Sequence, residues 1–316
     1  VKSEAIVIGS GVIGLTTALA LAEQGRRVRV WTREPAGATT SAVAGALWWP
    51  YRIEPVALAA DWALESLSTF LRLAQTAPGS GVRVVPGVHR GISRDSLGSW
   101  AARVPGLREA TGRECPGGGL WARLPLLDMP VHLRWLAERL AAAGGGVEVR
   151  EVRALDEAFG EAPVVVNCSG LGARELVPDP GVRPVRGQLV LVENPGVESW
   201  YVEAAPGART TTYFFPQPGR LVLGGTAEED AFSTRPDPGT AADIVRRCAA
   251  VRPEIAGARV LGHLVGLRPA RRAVRLEAVR RSDGGLLVHH YGHGGAGVTV
   301  AWGAARAAAE LVSGAA

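Results

Sequence analysis

The stretch that most constrains this chain begins at its fifth residue. Ala5-Ile6-Val7-Ile8 is a short, wholly apolar, β-branched run of the kind found in a strand buried on both faces of a parallel sheet. Gly9-Ser10-Gly11-Val12-Ile13-Gly14 follows at once, and then Leu15 to Gln24, an Ala/Leu/Thr segment without a breaker that stops at Gly25. The order is strand, glycine turn, helix, helix stop. Val28-Arg29-Val30-Trp31 supplies a second strand and closes a βαβ unit. Within it each glycine has its own role. Gly9 makes the turn, Gly11 lets a pyrophosphate approach the backbone, and Gly14 lets the helix pack close. The helix N-terminus then faces the phosphates. A lone G-x-G-x-x-G is weak, but between this strand and this helix it points to a bound dinucleotide rather than a merely structural turn.

An acidic residue is expected about 20 residues after the glycines, where it would bind the ribose hydroxyls. The second strand ends in Thr32-Arg33-Glu34, and Glu34 can serve. Arg33 would instead suit a 2′-phosphate, so this turn leaves NADP open. The next segment favours a flavin. Thr39-Thr40-Ser41 leads into Ala42-Val43-Ala44-Gly45-Ala46-Leu47 and then Trp48-Trp49-Pro50-Tyr51. Small residues admit a planar ring or a phosphate to the backbone and hydroxyls supply hydrogen bonds, although an ordinary polar loop entering an aromatic core has the same composition.

Downstream, Glu54 to Gln75 reads as helix and Pro78 to Gly87 as loop and edge strand. Asp128 with Pro130 reads as an N-cap with proline in the first turn, opening a helix that stops at Gly144 and carries His132 and Trp135 as packing or surface residues. Val147-Glu148-Val149 and Val164-Val165-Val166 return to the buried-strand pattern. Ser169-Gly170 stands at the end of the latter, in position to touch the same dinucleotide. From Arg186 the pattern becomes antiparallel, with strands at Gln188 to Glu193, Thr211 to Phe215 and Arg220 to Gly225, then a helix over Thr240 to Val251 with Asp243 and paired arginines on its wet face. Leu286 to Tyr291 is again a buried strand. It runs into a second glycine turn, Gly292-His293-Gly294-Gly295-Ala296-Gly297, and a helix from about Val298 to Val312. A helix N-terminus presents about half a positive charge, which beside a flavin ring would stabilise negative charge on its reduced form.

Composition excludes several classes. The 316 residues are enough for about two domains, and 47% hydrophobic with 21% charged residues is ordinary for a globular chain. Cys115, Cys168 and Cys248 are widely spaced and form no C-x-x-C pair, so neither a disulfide framework nor a zinc site is signalled, and Cys168 reads as a small buried hydrophobe. Arg and Lys exceed Asp and Glu by 35 to 30, and Lys2 is the one lysine. The arginines occur singly or in pairs near acids, which argues for a solvated surface rather than a nucleic-acid footprint. No run reaches a membrane span and no secretory leader is visible, so the expected setting is cytoplasmic.

Six ordered segments resemble the D-amino acid oxidase family of flavoenzymes over essentially the whole length. They are Ile8 to Leu15, Val43 to Trp48 with Pro50-Tyr51, Asn167-Cys168-Ser169-Gly170, Arg186-Gly187-Gln188, Gly266-Leu267-Arg268-Pro269, and His289-His290-Tyr291-Gly292-His293-Gly294-Gly295-Ala296-Gly297 with the spaced Gly303 and Ala305. The last is the most specific. The resemblance implies an α/β fold: a Rossmann-like FAD-binding domain (residues 1–52, 130–182 and 262–316) with an inserted α+β substrate domain built on an antiparallel sheet (residues 53–129 and 183–261). It further implies noncovalent FAD, hydride transfer from Cα to flavin N5, reoxidation by oxygen to hydrogen peroxide, and hydrolysis of the imino acid to a 2-oxo acid and ammonia.

Carried over by position, Arg268 would hold the substrate carboxylate with its planar fork, Tyr213 would donate its hydroxyl to the same carboxylate, and the Gly295 carbonyl would accept from the amine. No side-chain base is needed, because the hydride chemistry belongs to the cofactor. The FAD-contacting set implied in the same way is Gly9, Ser10, Gly11, Val12, Ile13, Gly14, Arg33, Glu34, Thr39, Thr40, Ser41, Gly45, Ala46, Leu47, Val152, Ser169, Gly170, Arg268, His293, Gly294, Gly295, Gly297, Val298 and Thr299. Two substrate-pocket positions depart from the family. Arg209 stands near where many members have a lid tyrosine, and Trp49 stands where others often have a polar residue. The expected activity is oxidation of neutral, mainly apolar D-amino acids. Acidic D-amino acids reached by Arg209 or glycine-like amines are the nearest alternatives, and a non-oxidase protein binding NADP or FAD is the alternative of another class. Partners are then a small D-amino acid and molecular oxygen, with no nucleic acid, membrane or metal, and a homodimer by resemblance alone.

Overall fold

The structure, a computed structural model, describes residues 4–50, 53–204 and 210–315. In chain order its first half runs β1 (Ala5–Ile8), α1 (Val12–Glu23), β2 (Val28–Thr32), α2 (Val56–Thr76), β3 (Val82–Arg90), β4 (Arg108–Glu109), β5 (Gly119–Leu127), α3 (Met129–Ala142), β6 (Gly146–Val149), α4 (Leu155–Phe159) and β7 (Val164–Asn167). The second half runs α5 (Ala173–Leu176), β8 (Arg183–Glu193), β9 (Trp200–Glu203), β10 (Thr210–Gln217), β11 (Arg220–Thr226), β12 (Glu228–Glu229), α6 (Pro238–Val251), β13 (Val260–Arg280), β14 (Leu286–His293) and α7 (Gly297–Gly314).

Among the described residues all fourteen strands belong to one sheet, with β12 attached to the side of β8. One part is parallel, in the order β14-β7-β1-β2-β6. Its central strands are apolar on both faces, and β1 and β7 are buried at every residue because helices cover both sides. The other part, β4-β5-β3-β9-β10-β11-β8, is antiparallel except where β3 lies parallel to β9. Strand β13 joins them: residues 260–270 pair with β8 and residues 270–280 with β14, with a register shift between Ala270 and Arg275. On the parallel part, α2 and α7 pack so closely that a Cβ on Gly303 would lie 2.4 Å from the Trp62 Cα.

Several expectations change. Pro86 and Gly87 mark the third strand as an edge by their lack of a donor and of a side chain, yet β3 is an interior strand between β5 and β9. Gly87 is there because a Cβ would meet the Trp200 carbonyl oxygen at 2.1 Å. Strand β6 is the edge instead, with Val147 and Val149 exposed, since an apolar run does not say whether a layer covers it. Asp128 sits at the N-cap of α3 without a side-chain capping bond, and its carboxylate accepts from Arg220 Nη2 at 2.8 Å. Of the paired arginines on α6, Arg246 is exposed whereas Arg247 turns inward to the sheet. His132 is a packing residue, stacked on Trp135 and 2.8 Å from the Ser80 carbonyl through Nδ1.

Burial pushes the His132 and His89 imidazoles down to about 4 from the ordinary 6.5. The folded chain holds these rings neutral where the unfolded chain would protonate them. Their stabilising contribution is complete above about pH 6.5 and is lost as the pH falls through about 4. Urea midpoints measured in that interval are expected to fall with acidification, and a flat profile would contradict this burial.

Candidate active site

The first glycine turn folds as its sequence demands. Gly9 takes φ +107 and donates its N–H to the Trp31 carbonyl at 2.8 Å, which ties the turn to β2. A Cβ on Gly14 would stand 1.9 Å from the Gly9 carbonyl oxygen and 3.4 Å from Cys168 Cβ, so only glycine lets α1 start this close to the end of β7. Gly11 is the N-cap and brings no capping side chain. Ser41 arrives from the following segment, and Val12 N–H donates to its Oγ at 2.9 Å. Ser10 is buried, its Oγ 2.9 Å from Thr32 Oγ1 and 3.3 Å from the Glu34 carbonyl. The Arg33 and Glu34 side chains project outward with their charged ends 3.8 Å apart.

Residues 39–49 bridge this turn to the rest of the site. Thr39 Oγ1 closes back on the Ala36 carbonyl (2.7 Å), whereas Thr40 Oγ1 donates to the Leu267 carbonyl (3.2 Å) next to Arg268. A Cβ on Gly45 would meet the Phe215 ring at 2.8 Å. Ala46, at φ +60, accepts from Leu127 N–H at 3.1 Å, and Leu47 forms a bridge with Leu126. Trp49 exchanges backbone bonds with Thr299: its carbonyl accepts from Thr299 Oγ1 at 3.0 Å and its N–H donates to the same oxygen at 3.4 Å. The Trp49 ring packs on His89 and edge-on to Trp100, at 5.0 and 5.4 Å between centroids.

The second glycine turn comes to the same place. Gly294, at φ +55, donates its N–H to the Pro269 carbonyl at 2.9 Å, and a Cβ on Gly170 would lie 3.7 Å from the Pro269 ring. A Cβ on Gly297, the first residue of α7, would lie 3.9 Å from Ile13, so the first turns of α7 and α1 lie side by side. Val298 and Thr299 are buried in the first turn of α7, and Gly295 is exposed at the surface of the turn. Ser169 N–H and Oγ both donate to Asn167 Oδ1, at 3.2 and 2.6 Å. Burial holds the His293 imidazole down to about 3 and pushes the Cys168 thiol up to about 12, so both stay neutral. Val152, just past the end of β6, is half-buried against the apolar cluster of Ile6, Ile8 and Trp31.

Across the sheet, Tyr213 and Arg268 converge from β10 and β13. The Tyr213 ring stacks on Phe215 (4.6 Å, 16°) and covers Gly224, where a Cβ would fall 2.0 Å from Tyr213 Cζ. The Arg268 guanidinium lies over Gly187, where a Cβ would be 2.3 Å from Nη2, and Nη1 donates to the Thr226 carbonyl at 3.0 Å. Burial pushes the Tyr213 hydroxyl up to about 12, with the Arg268 charge opposing, so it remains a proton donor at neutral pH. Gly187, Gly224 and Thr226 belong to this arrangement although no motif marks the last two as site residues. The signal that could have found them is the glycine pair Gly224-Gly225 inside a strand, which indicates close approach. Arg209 and Tyr51 lie outside the described residues.

The chain from residue 4 to residue 311 matches the family model of FAD-dependent oxidoreductases. The chain belongs to the D-amino acid oxidase family of FAD-dependent oxidoreductases. It is 68% identical over 311 residues to the D-amino-acid oxidase of Streptomyces coelicolor, covering 98% of this chain and 97% of that relative. It is 34% identical to human D-aspartate oxidase over 97% of this chain and 94% of the relative. In fold it resembles the glycine oxidase of Bacillus cereus with a TM-score of 0.82 at 20% identity, over 99% and 98% of the two chains. The family's cofactor is FAD, and the residues present fit it. The starts of α1 and α7 lie side by side at Ile13 and Gly297, and their N-cap residues, Gly11 and Ala296, bring no capping side chain of their own, an arrangement that favours a pyrophosphate at one helix start and a reduced flavin ring at the other.

Gly14→Ala places its methyl group against backbone that cannot move aside. It is expected to bind FAD on the order of tenfold more weakly, a loss of roughly 1.4 kcal/mol, and to purify with less bound flavin. Gly37→Ala, where nothing lies within 4 Å, is expected to keep its full complement. The flavin absorbance of the two preparations checks this.

Proposed function

We propose that this chain is an FAD-dependent D-amino acid oxidase of neutral, mainly apolar D-amino acids. The observation that carries the reading is the convergence of Arg268 and Tyr213: one arginine edge is held by the Thr226 carbonyl, and the facing tyrosine hydroxyl stays protonated. A fixed guanidinium edge with an adjacent O–H donor is a receptor for a planar carboxylate. The 68% identity to a D-amino-acid oxidase supports the same reading.

In this scheme Arg268 and Tyr213 bind the substrate carboxylate, and the exposed Gly295 carbonyl accepts from its amine, so the Cα–H is aimed by contacts at both ends of the molecule. Gly9 to Gly14, Thr39 to Leu47, Ser169-Gly170 and His293 to Thr299 would hold the cofactor, with Arg33 or Glu34 outermost beside the ribose. Bound FAD supplies the hydride acceptor, and its reoxidation consumes dioxygen and yields hydrogen peroxide. The neutral amine's lone pair assists loss of the Cα hydride, and water converts the imino acid to a 2-oxo acid and ammonia. Trp49, packed on His89 and Trp100, makes one wall near the α7 turn apolar, which favours uncharged side chains. We read residues 1–52, 130–182 and 262–316 as the cofactor-binding unit and the remainder as the substrate-binding unit. Cys115, Cys168 and Cys248 are buried and free, which suits a reducing cytoplasmic setting. Among the described residues no helix is long and apolar enough to cross a membrane.

Peroxide release from D-alanine, D-valine, D-aspartate and glycine, with L-alanine as control, tests the reading. The two neutral D-amino acids are expected to lead, and activity confined to D-aspartate would move the assignment to the acidic class that Arg209 could serve. Arg268→Ala is expected to keep FAD and to lose at least about 100-fold in kcat/KM, in line with a charge-assisted carboxylate pair of about 3 kcal/mol. Unchanged turnover at low substrate would refute the role of Arg268.

A further inference from the structure

The carboxylate-binding pair stands on a distorted part of the sheet. Strand β10 pairs with β11 in regular register from Tyr213 to Gln217, and the register shifts between Thr210 and Tyr213. Such a bulge leaves backbone groups outside the ladder and re-aims the neighbouring side chain, here Tyr213. Arg247 reaches this irregularity from α6. Its Nη1 donates to the Thr211 carbonyl at 2.5 Å and to Thr212 Oγ1 at 3.1 Å. Its Nη2 is 3.5 Å from the carbonyl of Gly225, the residue beneath the Tyr213 hydroxyl. Its Nε is held by Asp243 Oδ2 at 2.8 Å, and its side chain is mostly buried. One planar cation therefore bridges β10, just before Tyr213, to β11 at Gly225, and the next residue along β11, Thr226, supplies the carbonyl that orients Arg268. The neighbouring Arg246 uses the same Asp243 carboxylate but remains in solvent.

We infer that Arg247 is a positioning residue for substrate binding: by stapling the bulge at Thr211–Thr212 to Gly225, it holds the Tyr213 hydroxyl at the place where it meets a carboxylate beside Arg268. The inference rests on the carboxylate-binding reading of Arg268 and Tyr213. Five N–H groups in a rigid fork suit an arginine to this position, whereas a lysine has a single nitrogen that cannot reach both strands at once.

The test is steady-state kinetics on holoenzyme, normalised to bound flavin. Arg247→Met is expected to raise KM for D-alanine on the order of tenfold while kcat changes by less than about threefold, with Arg247→Lys in between. In a Tyr213→Phe background the same change is expected to raise KM by less than about twofold, because the hydroxyl it would misplace is already gone. Arg246→Met is expected to match the parent enzyme. An unchanged KM in Arg247→Met, an equal KM effect with and without the Tyr213 hydroxyl, or an equal effect of Arg246→Met would each overturn the inference. If Arg247→Met does not retain FAD, Arg247→Lys carries the same comparisons. An Arg268→Ala enzyme with unaltered KM would instead overturn the underlying reading, so the two failures are distinguishable.

Discussion

The hydrogen bonding of β13 to both β8 and β14 is the constraint on which the rest of this structure depends. A strand that is shared by a parallel and an antiparallel part fixes the two parts in one register, and it does so at the residues where the proposed site converges. Within Gly266 to Ala270, Thr40 bonds to Leu267, Gly294 bonds to Pro269, Gly170 packs on Pro269, and Arg268 points across to Tyr213. Proline at 269 gives up a donor but keeps a carbonyl, and that carbonyl is what holds the second glycine turn.

Around this strand the polar groups are kept neutral by burial. His293 and His290 have imidazoles held well below their ordinary range, the Cys168 thiol is pushed up, and the Tyr213 hydroxyl keeps its proton. Arginines near the turns have identified partners: Arg33 lies beside Glu34, and Arg271 is paired with Asp179. Arg186, almost fully buried, is matched by Glu228, Gln188 and the carbonyls of Ser233 and Arg235. Such full pairing makes a buried guanidinium tolerable. Arg268 differs in that the contact fixing it is to a backbone carbonyl and adds no negative charge, which leaves its positive charge for an anion.

Much of the fold was legible in the chain because local rules and tertiary packing agree there. Ala5 to Ile8, the spacing Gly9-x-Gly11-x-x-Gly14, and the run from Leu286 into the glycines each read the same way by propensity, by periodicity and by burial. Strand β13 was not legible as a strand. Arg271, Arg272, Arg275 and two glycines break any alternation, and its two ends present different edges to different partners. Nor did Pro86 and Gly87 declare an interior strand, since a local pattern reports what a residue lacks and not which neighbour needs the space. Among the residues of the proposed site, the glycine turns and Arg268 were visible through their motifs, whereas Arg247 looked like half of an ordinary wet pair.

By itself the sequence determined the nucleotide-binding βαβ unit, the second glycine turn and the family, because a glycine required by steric approach or by positive φ leaves a mark that does not depend on distant residues. Only the tertiary structure decided that Thr40, Gly170, Gly294 and Arg268 meet on one strand, that Tyr213 faces Arg268 over Gly224, and that Arg247 turns inward. These are contacts between residues far apart in the chain, and their geometry is set by sheet register and by a bulge, properties of strand pairing that no single segment carries.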